Sequence, residues 1–201
     1  MTPDEAFDAA FAVTVGGIEG GYSLIPDDPG GETYRGVARR EHPDWPGWAL
    51  VDAAKARPNF PASLDSDTAV QAALRSFYRG TFWGAMDLDA VAALSPNIAG
   101  KLFDIGVNCG QDISARFLQR ALNAFNHRGA DYADVIQDGN LGPRTVEALG
   151  AYLTMRAGQG GAKVLHEALS CQQGTRYLEL GERNPKLEDF EFGWFRNRVL
   201  L

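Results

Sequence analysis

Three side chains near the N-terminus have the types and spacing that breaking a glycosidic bond requires. Glu19 is followed nine positions later by Asp28, and Thr33 lies five beyond that. Glycosidic cleavage needs one acid to protonate the leaving oxygen and one base or nucleophile on the opposite face of the sugar. Glu19 stands beside Val15 and Ile18, where poor solvation favours a protonated carboxyl and so a proton donor. Asp28 is expected to position water or steady the cationic transition state, with Thr33 hydrogen-bonding the water or the sugar. Asp27 and Glu32 stand close enough to compete for the second carboxylate role. An aspartate before Pro29-Gly30 also serves as a turn residue that bonds its own backbone.

These groups need elements to hold them. Phe7, Phe11, Val15 and Ile18 recur at steps of four, four and three, which predicts a helix over residues 3–18. Pro3 suits its first turn, and Asp4 and Glu5 complement the dipole there. Gly20-Gly21 is expected to stop the helix through a left-handed residue, leaving Glu19 on the last turn. The run of Pro26, Pro29, Gly30, Gly31 and Gly36 predicts a small β-hairpin lobe near residues 22–36. Four prolines break residues 40–61, with one short helix expected near 52–57. Further helices are expected over 66–80, from Ser95-Pro96, from Asp112, over 143–156 and over 164–180, with a last short one carrying Phe192, Phe195 and Val199. The fold class read from this pattern is all-α, α+β at the margin. A seam near Leu94-Ser95 is expected to divide a catalytic segment, 1–94, from a helical segment, 95–201, the two packing to form a cleft.

Composition narrows the function classes. A chain of 201 residues, 45% hydrophobic and 22% charged, can bury a sizeable core. Its 26 acidic against 19 basic residues give a net charge of -7, which argues against nucleic acid as a partner. No apolar run reaches the roughly 18 to 20 residues of a membrane span, so stable membrane insertion is not expected. Residues 9–18 are too short for a secretory signal and follow Asp4, Glu5 and Asp8, so passage across a membrane falls to a partner. His42, His127 and His166 are scattered, and Cys109 and Cys171 form no ligand motif; neither metal nor cofactor is expected. The two cysteines read as reduced, small apolar side chains.

The Glu19, Asp28, Thr33 spacing resembles that of phage-type lysozymes. The wider run Glu19-Gly20-Gly21-Tyr22, Asp28-Pro29-Gly30-Gly31-Glu32-Thr33 and Gly36 resembles the N-acetylmuramidases of glycoside hydrolase family 108. A second block, 102–110 with 116–123 and 138–145, resembles the peptidoglycan-binding region that accompanies them, and the tail from Phe192 to Arg198 is similar to the family's ending. Cys109 departs from the pattern, where a polar residue is expected. The resemblance implies a lysozyme-like helical fold and hydrolysis of the β-1,4 bond between N-acetylmuramic acid and N-acetylglucosamine. It also implies peptidoglycan strands as partner and a monomeric endolysin, made in the cytoplasm, that reaches the wall through a holin or other export partner.

Sugar-contacting candidates on this reading are Tyr22, Gly31 and Tyr34 in the lobe, Trp83 as a stacking wall, Asn108 beside Gly110, and Gln119 with Asn123 on one helix face. The second block reads equally as residues that build the fold. A lytic transglycosylase, and a non-lytic wall-remodelling accessory for secretion, remain rival readings.

Overall fold

The computed structural model describes residues 1–25 and 30–200, so Asp28 and Asp27 lie outside the described residues. Helix dominates, with one small sheet. Helix α1 (Pro3–Phe11) runs on through wider turns over Ala12–Ile18, and Phe7 and Val15 are fully buried on the expected face. Its ending differs from the expected glycine cap. Neither Gly20 nor Gly21 adopts a positive φ; Glu19 itself turns extended, at φ -64° and ψ 136°. The Glu19 N–H still finds the Thr14 carbonyl five residues back, at 3.1 Å. That wide turn satisfies the terminal donor, so no left-handed residue is needed to close the helix.

Strands β1 (Tyr22–Leu24), β2 (Glu32–Tyr34) and β3 (Val37–Ala38) form an antiparallel sheet in that order, three strands where one hairpin was expected. Tyr22 pairs with Tyr34, while Thr33 lies between Ser23 and Ala38. β2 and β3 are joined by Arg35-Gly36, both at positive φ (43° and 80°). This two-residue turn matches the strands' own twist, which is why hairpins favour it.

The chain divides into two compact units, Phe11–Thr81 and Met1–Ala10 with Phe82–Leu201. This division falls at Thr81-Phe82, with a second crossing inside the N-terminal helix. The first unit holds the sheet, α2 (Gly47–Ala54), a tight turn at Ala62–Ser66, and α3 (Thr68–Tyr78). Helix α2 begins five residues before the stretch expected at 52–57 and ends within it. Asp67, not Ser66, caps α3, accepting from the Ala69 and Val70 N–H groups at 3.0 and 3.2 Å. Tyr34, Val37, Trp48, Val51, Leu64, Leu74 and Tyr78 fill the core of this unit.

The second unit is built on α5 (Pro96–Cys109), which packs on α4 (Leu88–Leu94), α6 (Gln111–Ala124) and α8 (Gly161–Arg183). Ser95 caps α5 as expected, its Oγ accepting from the Ile98 N–H at 3.4 Å. Helix α4 has seven residues, too few for its periodicity to stand out in the sequence. Helices α7 (Pro143–Met155) and α9 (Glu188–Trp194) complete the unit, the latter ending in a wide turn over Phe195–Val199. That turn is tied to α5 by buried polar contacts. Arg198 pairs with Asp104 at 2.5 Å, and Lys101 Nζ donates to the Arg198 carbonyl at 2.6 Å. No helix among the described residues is long and apolar enough to cross a membrane.

Candidate active site

Glu19 is half-buried, at the end of the first helix and beside the Arg35-Gly36 turn of the sheet. Behind it, the wide-turn segment ends in carbonyls that the normal helical ladder would have used. Arg35 Nη1 donates to two of them, Val15 O at 3.2 Å and Gly16 O at 3.0 Å. A cation there also meets the negative end of the helix dipole. The same guanidinium donates through Nε and Nη2 to Asp65 Oδ1, at 3.2 and 2.9 Å. Tyr34 Oη donates to that same oxygen at 3.2 Å and accepts from Gln71 Nε2 at 2.7 Å.

On the sheet side, the carboxyl packs against the Arg35-Gly36 turn. A methyl group at Gly36 would stand 3.0 Å from Glu19 Oε2 and 2.6 Å from Tyr78 Oη. Tyr78 in turn donates to the Arg35 carbonyl at 2.7 Å. The Glu19 carboxyl and the Tyr78 hydroxyl therefore both lie close over Gly36, and a side chain at that position would meet them.

The lobe's other carboxylate, Glu32, is engaged in a different task. Its oxygens pair with Arg39 Nε and Lys55 Nζ, each at 2.7 Å, and accept from Tyr22 Oη at 2.9 Å. Asp52 joins both cations, and Arg39 also lies 4.3 Å over the Trp48 ring. Burial, then the bond to Glu32, pushes the Tyr22 hydroxyl above its ordinary range. A carboxylate bound by two cations and a phenol is engaged in bracing the lobe.

The remaining candidates separate clearly. Thr33 Oγ1 donates weakly to Gly31 O at 3.4 Å, and Gly31 sits at φ 69° against Arg40. Tyr34 is buried and belongs to the Arg35–Asp65 network rather than to an open surface. Trp83 was expected to wall a cleft; it is instead a core residue of the second unit. It is fully buried, edge-on to Phe7 and Phe103, with its indole N–H on Asp89 at 2.8 Å. Asn108 is half-buried and accepts from Tyr177 Oη at 2.7 Å.

Gln119, expected to read sugar groups, is buried and clamps the 138–140 loop. Its amide donates to Asp138 Oδ1 at 2.8 Å and Asn140 O at 2.9 Å, and its oxygen accepts from the Gly139 N–H at 3.1 Å. Asn123 holds Val135 in the same two-way manner. Sequence reasoning missed Arg35, Asp65, Gln71 and Tyr78. The available signal was an arginine-glycine pair between two short strand patterns, which demands a tight turn. Among the described residues, no group of three His, Cys, Asp or Glu side chains could hold a metal ion.

Comparison with known proteins adds two family matches in sequence and likenesses among solved structures. Residues 12–110 match a family model described as Glycosyl hydrolase 108, and residues 113–199 match one described as Predicted Peptidoglycan domain. The first contains Glu19 and the whole sheet; the second contains Gln119 and the loop it clamps. No curated protein matches the chain. Among solved structures, Brucella abortus SagA is similar at 21% identity and a TM-score of 0.55, over 98% of this chain and 90% of that one. At that identity the likeness speaks for the fold.

Proposed function

The chain belongs to the glycosyl hydrolase 108 family, with a peptidoglycan domain following its hydrolase segment, and from that premise we propose that it is an N-acetylmuramidase. Family membership makes it a glycosidase of the peptidoglycan-hydrolase kind; the bond assigned here is the β-1,4 link from N-acetylmuramic acid to N-acetylglucosamine. The observation that carries the assignment is the Glu19 carboxyl, half-buried and close over Gly36 at the end of a helix closed by wide turns. Wide helical turns of this kind recur at functional sites, and a positioned carboxyl is what proton delivery to a bridging oxygen requires. Glu19 protonates the leaving oxygen. Asp28, with Thr33, directs water or steadies the oxocarbenium ion. Tyr22 and Gly31 lie in the same lobe and line the sugar's approach. The setting we attach to this chemistry is a monomeric endolysin acting at the cell wall after delivery by a holin or other export partner.

Digestion of purified peptidoglycan by the full chain and by Glu19→Gln tests the reading. Loss of a general acid should slow release of reducing muropeptides by about 10²-fold or more. Wild-type speed from the variant would sink the assignment. Products one water lighter, with an anhydro ring, would mark a lytic transglycosylase instead.

A further inference from the structure

A concavity lies far along the chain from Glu19, wholly within the second unit. It has a volume of about 540 Å³ and sits where the end of α6 meets the connection between α7 and α8. Its lining includes His127, Arg128, Arg156, Gln159, Phe125 and Val164, and no carboxylate. That is notable in a chain of net charge -7.

The cationic groups are arranged rather than scattered. Arg156 Nη1 donates to Gln159 Oε1 at 3.0 Å, and its Nη2 to His127 Nε2 at 3.0 Å. His127 Nδ1 lies 2.6 Å from Asp131 Oδ2. One tautomer satisfies both contacts: Nδ1–H donates to Asp131 and Nε2 accepts from Arg156. The bonds that orient Arg156 end on an amide oxygen and an imidazole nitrogen, and the nearby Asp131 carboxylate is itself engaged by His127. His127 and Arg128 adopt left-handed backbone, at φ 41° and 64°, which non-glycine residues hold only when their surroundings enforce it.

Fully buried Asn126 supplies the enforcement. Its Nδ2 donates to the Tyr132 carbonyl at 2.7 Å and to Asp134 Oδ1 at 2.8 Å, while its Oδ1 accepts from the Asp131 and Tyr132 N–H groups. The apolar wall is also fixed. Phe125 stacks on Tyr152 with ring centres 5.8 Å apart, and Tyr152 Oη donates to the Gly161 carbonyl at 2.9 Å.

A guanidinium-lined cavity with an aromatic and aliphatic wall suits an anion that carries an apolar chain, because arginine grips a carboxylate through parallel N–H donors. On the reading that the substrate is peptidoglycan, the ligand bearing that chemistry is the stem peptide. We propose that this cavity binds the C-terminal carboxylate of a peptidoglycan stem peptide, Arg156 and Arg128 meeting the carboxylate and Phe125 and Val164 the alkyl side chain beside it. The second unit then recognises peptide-bearing strands, while Gln119 and Asn123 are spent inside the fold.

Calorimetric titration of the full chain carrying Glu19→Gln, so that no probe is consumed, tests this with a disaccharide-tetrapeptide, its carboxyl methyl ester, and peptide-free glycan. Arg156→Gln and Arg128→Gln should each weaken the free-acid muropeptide by about tenfold or more, as loss of a charge-assisted bond implies. Esterification should weaken it equally, and the glycan's affinity should not change with either substitution. Arg128 is exposed, so its variant separates recognition from folding. Unchanged affinity in both variants, or an ester bound as well as the acid, would overturn the proposal. So would equal competition by inorganic phosphate, which would make the cavity a general anion site. If wild-type protein releases muropeptides while the arginine variants bind normally, the cavity assignment fails and the hydrolase reading survives. Arginine-dependent binding without any cleavage would give the reverse result.

Discussion

The carboxyl of Glu19 lies so close to Gly36 that a single added methyl there would stand 3.0 Å from Glu19 Oε2 and 2.6 Å from Tyr78 Oη. Gly36 also holds a φ of 80°, which costs an L-residue on its own account. Gly36→Ala should therefore combine strain with displacement of the acid. We expect a stability loss of about 1–3 kcal/mol in denaturant titration. Wall-clearing rate should fall by about tenfold or more, since small misplacements of a reacting group are expensive. A Gly36→Ala protein with wild-type turnover would mean that the acid is not held by this contact.

Arg35 connects the helix end to Asp65 with one planar fork, Nη1 on the Val15 and Gly16 carbonyls and Nε with Nη2 on the carboxylate. Lysine keeps the charge but cannot serve both ends at once. Arg35→Lys should lower kcat on peptidoglycan several-fold with KM nearly unchanged, because its effect passes through the placement of Glu19. A change confined to KM would instead place Arg35 in direct contact with substrate.

Much of this arrangement was legible in the sequence, and the illegible part has physical causes. The apolar steps of 3–18 gave the first helix, and Ser95-Pro96 gave the start of α5. The helix end was misread because Glu19 closes through a five-residue-back bond, a property of wide turns that side-chain periodicity does not encode. Glu19 could be singled out from its type and neighbours, but its partners could not. Arg35, Asp65 and Tyr78 are 16, 46 and 59 positions away in the chain, and nothing local marks them as belonging together. Trp83 and Gln119, both buried, illustrate the opposite case. Polar and aromatic types suited to sugars are equally suited to bracing loops and filling cores, and burial decides between the two.

Gln119 lets that decision be measured. Its buried amide satisfies Asp138, Gly139 and Asn140, so Gln119→Ala leaves several polar groups without their partner. A loss of about 1–3 kcal/mol is expected, with glycan affinity and specific activity of the folded protein unchanged. The Gln119 amide, then the Asn140 N–H, holds the Asp138 carboxyl below the usual carboxylate range. Stability from that depressed group is present above the ordinary carboxylate pKa and is lost as pH falls through the folded value. The variant should therefore show a shallower acid-side decline than wild type in thermal melts from neutral pH downward. A variant of unchanged stability with weakened glycan binding would restore the sugar-reading role.

Cys109 makes the alkaline counterpart. Burial, then the nearby Asp104 charge, pushes its thiol from 9.0 up to about 11, and its S–H points to Asn108 Oδ1 at 3.4 Å. A folded pKa raised above the unfolded one favours the protonated thiol in the native state. The contribution is complete below about pH 9 and is lost as pH rises towards about 11, where it reaches on the order of 2 kcal/mol. Denaturant midpoints should accordingly fall across that interval, and Cys109→Ala should flatten the fall. At pH 8 the native chain should present one fast-reacting thiol, exposed Cys171, and a second only on unfolding. Two equally fast thiols in a native alkylation time course would contradict the half-buried placement of Cys109 against Asn108.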